Sequence, residues 1–152
     1  MIPCIHVITL GVEDLHRSFE FYRSLGWESP GIIGTEFAGD DHTPGGAAAM
    51  FELQGGLILA LYSRDDLAKD STTAIPPPTA AFSLGHLAPS REAVDEVLAT
   101  AQAAGATLTD RPHTRPWGIY SGYFRDPDGH LWEVIWNPAL GSSPATEPHH
   151  GS

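Results

Sequence analysis

The chain has 152 residues, 41% of them hydrophobic and 18% charged, the balance of a globular protein long enough to bury a sizeable core. Nineteen acidic against eight basic residues give a net charge of −11, which would repel a phosphate backbone and excludes nucleic acid as an expected partner. No apolar run approaches the roughly 18 residues needed to cross a bilayer, the N-terminus lacks the pattern of a signal peptide, and the single Cys4 permits no intrachain disulfide, so a cytoplasmic location without membrane contact is expected.

Residues 5–12 form a β-branched, apolar run that reads as a strand. Asp14 then caps a helix whose Leu15, Phe19 and Tyr22 recur at helical spacing, and Gly26 ends it. A Gly- and Asp-rich stretch, 32–44, predicts a short strand and a loop. Two apolar runs follow, 47–53 and 57–62, and the intervening Gln54-Gly55-Gly56 signals a hairpin. Residues 64–79, ending in Pro76-Pro77-Pro78, read as a connector.

The same order then returns. Residues 80–87 read as a strand, and Ser90 caps a helix with Val94, Val97, Leu98 and Ala101 on one face and Gly105 at its end. A short strand at Thr107-Leu108, a strand at 118–124, a type I turn at Asp126-Pro127-Asp128-Gly129 and a last strand at 131–136 complete the pattern. The caps Asp14 and Ser90 lie 76 residues apart, so the chain is an internal duplication of a βαβββ module. Module one spans about 4–63 and module two 80–138, within one domain, 1–138. The tail, 139–152, is Ser/Pro/His-rich without periodicity and is expected to be disordered. The fold class is α+β, two tandem modules whose curled mixed sheets cover each other around a small-molecule cleft.

The stretches LGVEDLHRSFEFYRSLGW and YFRDPDGHLWEVIW resemble the vicinal-oxygen-chelate superfamily, which includes glyoxalase I, extradiol dioxygenases, fosfomycin-resistance enzymes and bleomycin-resistance proteins. The resemblance implies a glyoxalase-like fold over both modules and, in metal-dependent members, a divalent ion held by one residue from each of four strands. Carried over position by position, those ligands fall on Val7 and Ser83, each seven residues before its helix cap, on Leu59, and on Glu133, seven after Asp126. Only Glu133 is a ligand-type side chain, too few donors for a zinc, nickel or iron centre, so no cofactor is expected. The alternative is one divalent ion on a shifted set, His6, Glu52, His86 and Glu133, supporting a lyase, isomerase or dioxygenase. Strand alternation argues against it, because His6 lies eight and His86 four residues before its cap, both opposite in parity to the cavity-facing positions.

If Glu133 faces the cleft, Leu131 and Ile135 do too, and Trp132, Val134 and Trp136 back onto the helices. Arg115, Trp117 and Tyr123 belong to a segment of aromatics and glycines suited to stack on a flat ligand, with Trp117, Ser121 and Tyr123 on one face. Glu133 either anchors a cationic or hydroxyl-bearing ligand or is bridged to Arg115 or a tyrosine hydroxyl. No Ser-His-Asp order, Walker loop or dinucleotide fingerprint points to another chemistry. The expected ligand-binding residues are Glu133, Trp117, Tyr123, Val7, Leu59, Ser83 and Arg115, in a homodimer resembling bleomycin-resistance proteins, which would sequester an aromatic or cationic compound.

Overall fold

The computed structural model describes residues 1–34, 39–79 and 81–140; of the tail expected to be disordered, 139–152, Ala139 and Leu140 lie in a turn and the rest lies outside the described residues. Module one consists of β1 (Val7–Val12), α1 (Leu15–Ser24), β2 (Ile32–Ile33), β3 (Ala48–Glu52) and β4 (Ile58–Ser63), and α2 (Arg64–Ser71) follows it. Module two consists of β5 (Ser83–Leu87), α3 (Arg91–Ala104), β6 (Thr107–Thr114), β7 (Tyr120–Arg125) and β8 (Leu131–Trp136). Each module forms a four-stranded mixed sheet, ordered β1-β4-β3-β2 and β5-β8-β7-β6, with the first strand parallel to the last. The α+β tandem architecture is therefore the one expected.

Both long helices start where their caps predict: Asp14 accepts from the backbone N–H of Arg17 and Ser90 from that of Ala93. Gly105 closes α3 in the left-handed conformation at φ 116°. Two stretches depart from expectation. The connector contains a helix, α2, capped by Ser63 and opened by Asp65 and Asp66. Its only apolar residues are the adjacent Leu67 and Ala68, so it lacks the apolar periodicity by which a helix is recognised. The strand expected at Thr107-Leu108 runs on to Thr114, past two register shifts that accommodate Asp110 and Pro112.

The two modules share one core. Leu10, Phe51, Leu59 and Leu61 from the first sheet and Phe124, Trp132 and Val134 from the second all point toward the helices. Tyr22 of α1 sits against Trp27, Phe51 and Trp132, linking the halves through aromatic contacts. Between modules α1 packs on α3. This corrects the expectation that the sheets cover each other: α1 and α3 cover the inner faces, α2 and Ile75 cover the Gly11 end of the first sheet's outer face, and the rest of the outer faces stays open. Val7, Ile33, Met50 and Leu87 on those outer faces are 50%, 62%, 45% and 48% exposed.

Candidate functional site

On the second sheet, Ser83 pairs with Leu131, Gly85 with Glu133 and Leu87 with Ile135. Tyr123 pairs with Glu133 on the other side, and Ser121 with Ile135. Alternation therefore places Ser83, Ser121, Tyr123, Leu131, Glu133 and Ile135 on the open face, while Trp132 and Val134 are buried beneath the helices as expected.

A chain of polar contacts crosses this face. The fully buried Ser121 donates its hydroxyl proton to Oε2 of Glu133 at 2.9 Å. The same hydroxyl oxygen accepts from Nε of Arg115, which fixes the direction of the Ser121 proton toward the carboxylate. One Arg115 Nη donates to Oδ2 of Asp110 at 2.7 Å and to the Ser121 carbonyl at 3.3 Å. The guanidinium carbon lies 5.3 Å from the centre of the Tyr123 ring. His113 Nε2 contacts the same Asp110 oxygen at 3.1 Å. Bonding to Arg115 holds the Asp110 carboxyl below its ordinary range, and burial together with the Glu133 charge raises the Tyr123 phenol. Glu133 is thus bridged to Arg115, through Ser121. A bridge from Glu133 to Arg115 is one of the alternatives the sequence leaves open. Ser121 as the bridge, and Asp110 and His113 behind it, were not anticipated, because the register shifts in β6 hide which of its side chains face the site.

The other expected positions divide. Val7 lies on the open face of the first sheet and Ser83 on that of the second. Leu59 does not: it pairs with Ile8 and Phe51 on the helix side and is 1% exposed. The register identifies Ala60 as the true counterpart of Glu133, since Glu133 sits opposite Gly85, two residues after Ser83, and Ala60 sits opposite Thr9, two after Val7. The slip of one residue arose because no acidic side chain marks the position in module one. Trp117 corrects a second expectation: it occupies a 3-10 turn, Pro116–Gly118, with φ 62°, and is 91% exposed, so within one chain it forms no wall.

The shifted metal set is not assembled among the described residues. His86 pairs with Val134 on the face opposite Glu133, and the exposed His6 stands 3.5 Å from the Cys4 sulfur. Asp126, Asp128 and His130 are the one described group with donor atoms close enough to share an ion. Their oxygens are already committed. Asp126 Oδ1 accepts from the backbone N–H groups of residues 128–130, and Oδ2 from the Tyr22 hydroxyl and His130 Nδ1. Asp128 accepts from the Glu13 backbone, Arg17 and the Ser18 hydroxyl. These bonds tie module two to α1, so the cluster already has a structural role.

The sequence profile of the Glyoxalase/Bleomycin resistance protein/Dioxygenase superfamily matches residues 4–134. Among solved structures, a glyoxalase-related enzyme from Fulvimarina pelagi is 28% identical, with a TM-score of 0.75 over 90% of each chain. A lactoylglutathione lyase from Agrobacterium tumefaciens is 25% identical, with a TM-score of 0.62 over 91% of this chain and 97% of that one. The fosfomycin resistance protein FosX from Listeria monocytogenes, 24% identical with a TM-score of 0.63 over 90% and 95%, shows the shared fold alone. No curated protein matches the chain.

Proposed function

Because the chain belongs to the glyoxalase/bleomycin resistance protein/dioxygenase superfamily, we propose that it binds an aromatic or cationic small molecule on the open face of its second sheet, without a metal ion. The observation that carries this reading is the side chains at the four register-equivalent positions, Val7, Ala60, Ser83 and Glu133. Valine and alanine offer no lone pair, and one hydroxyl beside one carboxylate falls short of the three or four donors a transition-metal centre needs. What the face does offer is a carboxylate for a cation or a hydroxyl, the Tyr123 ring for stacking, and apolar flanks in Leu131 and Ile135. Arg115 holds Ser121, and Ser121 holds Glu133, so the acceptor is preorganised. A second copy of the chain would cover the open faces and complete two clefts with Trp117 at the rim. The protein would then act in the cytoplasm by sequestration, a resistance-type role that requires no turnover.

Dialysis against zinc and nickel followed by elemental analysis tests the metal-free reading, together with melting in the presence and absence of chelator. The expected result is no stoichiometric metal and an unchanged melting temperature. One ion per chain, removed by chelator with loss of stability and absent from Glu133→Gln or His6→Ala, would replace this reading with a metal-dependent lyase, isomerase or dioxygenase. On the binding side, a panel of aromatic amines and neutral aromatics should contain compounds that raise the melting temperature of the native chain, and Tyr123→Ala should abolish the rise.

A further inference from the structure

A recess of about 480 Å³ lies where the two modules meet, lined by Trp27 and Glu28 after α1, Glu52, Leu53 and Gln54 at the end of β3, and His86 of β5. Within one chain it is separate from the Glu133 face, because His86 and Glu133 lie on opposite sides of the second sheet, while Glu52 stands at the end of the first sheet's outer face opposite Ile58. No lysine or arginine lines it. Neither Glu28 nor Glu52 has an ion pair or a side-chain hydrogen bond among the described residues, although other acidic side chains, such as Asp128, Asp110 and Asp65, are paired. Burial lowers the pKa of His86, so at neutral pH its imidazole adds no positive charge to offset the two carboxylates.

The remaining lining groups select among cations. Trp27 is fixed by its contacts with Tyr22, Phe51 and Trp132, so its indole is a rigid surface. Tyr22 stacks on the ring, and what remains partly exposed is an aromatic surface for an apolar group. Leu53 beside it favours an apolar body, and Gln54 offers an amide. A bare divalent ion is poorly served: among the described residues, Glu28, Glu52 and His86 do not form a group whose donor atoms lie close enough to share one. A bulky, weakly hydrated cation needs no such convergence, only negative potential and aromatic contact.

We propose that this recess at the module junction is a second binding site, taking an organic ammonium compound whose charged head lies between Glu28 and Glu52 with its apolar part against Trp27 and Leu53. The test uses the full chain and benzyltrimethylammonium chloride, with benzoate and benzyl alcohol as controls, followed by the indole N–H signals in two-dimensional nuclear magnetic resonance. Trp27→Phe assigns the signal. The expected result is a saturable shift of the Trp27 signal by the ammonium compound alone, weakened several-fold by raising the salt from 20 to about 300 mM. Glu28→Gln combined with Glu52→Gln should weaken it at least tenfold, with the remaining indole signals unmoved to show that the variant is folded. Glu133→Gln and Tyr123→Ala should leave it unchanged, which separates this site from the one proposed above. The inference is overturned by an equal shift with benzoate or benzyl alcohol, by a non-saturating response, or by full affinity in the doubly substituted chain.

Discussion

At the scale of single residues, Gly122 sets how closely β6 and α3 approach the strand that carries the site. A Cβ there would meet Leu98 Cδ1 at 2.7 Å, and the Asp110 carbonyl oxygen and Pro112 nitrogen at 3.0 Å. Leu98 could rotate, but two contacts are backbone, and relieving them would push β6 outward. Gly122→Ala should therefore cost about 2 kcal/mol, the range for overpacking a closed site, which for a chain of this size lowers the melting temperature by roughly 4–8 °C. Its neighbours on either side are Ser121 and Tyr123, so the same shift would loosen the Arg115–Ser121–Glu133 chain and weaken ligand binding beyond the loss of stability. Scanning calorimetry reads the first effect and ligand titration below the melting range reads the second. A variant as stable as the native chain would show that β6 yields freely.

At the scale of elements, the Asp126–Gly129 turn is the joint between modules. Burial of the Asp126 carboxyl opposes its ionisation, yet bonds from His130, Tyr22 and three backbone N–H groups outweigh it and hold the group below its ordinary range. The neighbouring Tyr22 phenol is raised well above its usual value by burial and by Asp126, so it stays a donor. A carboxyl depressed in the folded state contributes stability that is complete above the unfolded aspartate range and is lost as pH falls through the folded value. Asp126→Asn should cost about 3 kcal/mol at neutral pH, as expected for breaking a buried charged network. The gap between native and variant in urea midpoint should close progressively below about pH 4. A gap independent of pH would mean that the turn is held by geometry rather than by charge. The elements around this joint were legible in the sequence because caps, helical spacing and a Pro-x-Gly turn are local signals: β8 falls on the predicted residues 131–136. What was not legible depends on cross-strand register. Leu59 in place of Ala60, the reach of β6 and the bridging role of Ser121 all follow from which residue faces which, and bulges erase that from the pattern.

At the scale of the whole molecule, each chain leaves apolar side chains on the outer faces of both sheets, since α1 and α3 cover the inner ones and α2 covers only the Gly11 end of the first outer face. On the first sheet, Val7, Ile58, Met50 and Ile33 share the outer face by register. An exposed apolar surface of that kind marks an interface in a protein that stays in solution, and the proposed dimer uses it to roof the face that carries Glu133. The net charge of −11 argues against indiscriminate association, so the contact must be specific. A lysine placed in the interface strands a charge on desolvation, whereas in the separate chains it stays in water and reduces the overall repulsion. Met50→Lys should thus convert a micromolar dimer to monomer in sedimentation equilibrium while leaving the circular dichroism and melting of the monomer intact. It should also abolish ligand binding at the Glu133 face, because that cleft would lack its second wall. Binding retained by a monomeric Met50→Lys chain would show that a single open sheet suffices, and a native chain monomeric at 100 µM (about 5.5 kcal/mol of association) would remove the dimer from the proposal.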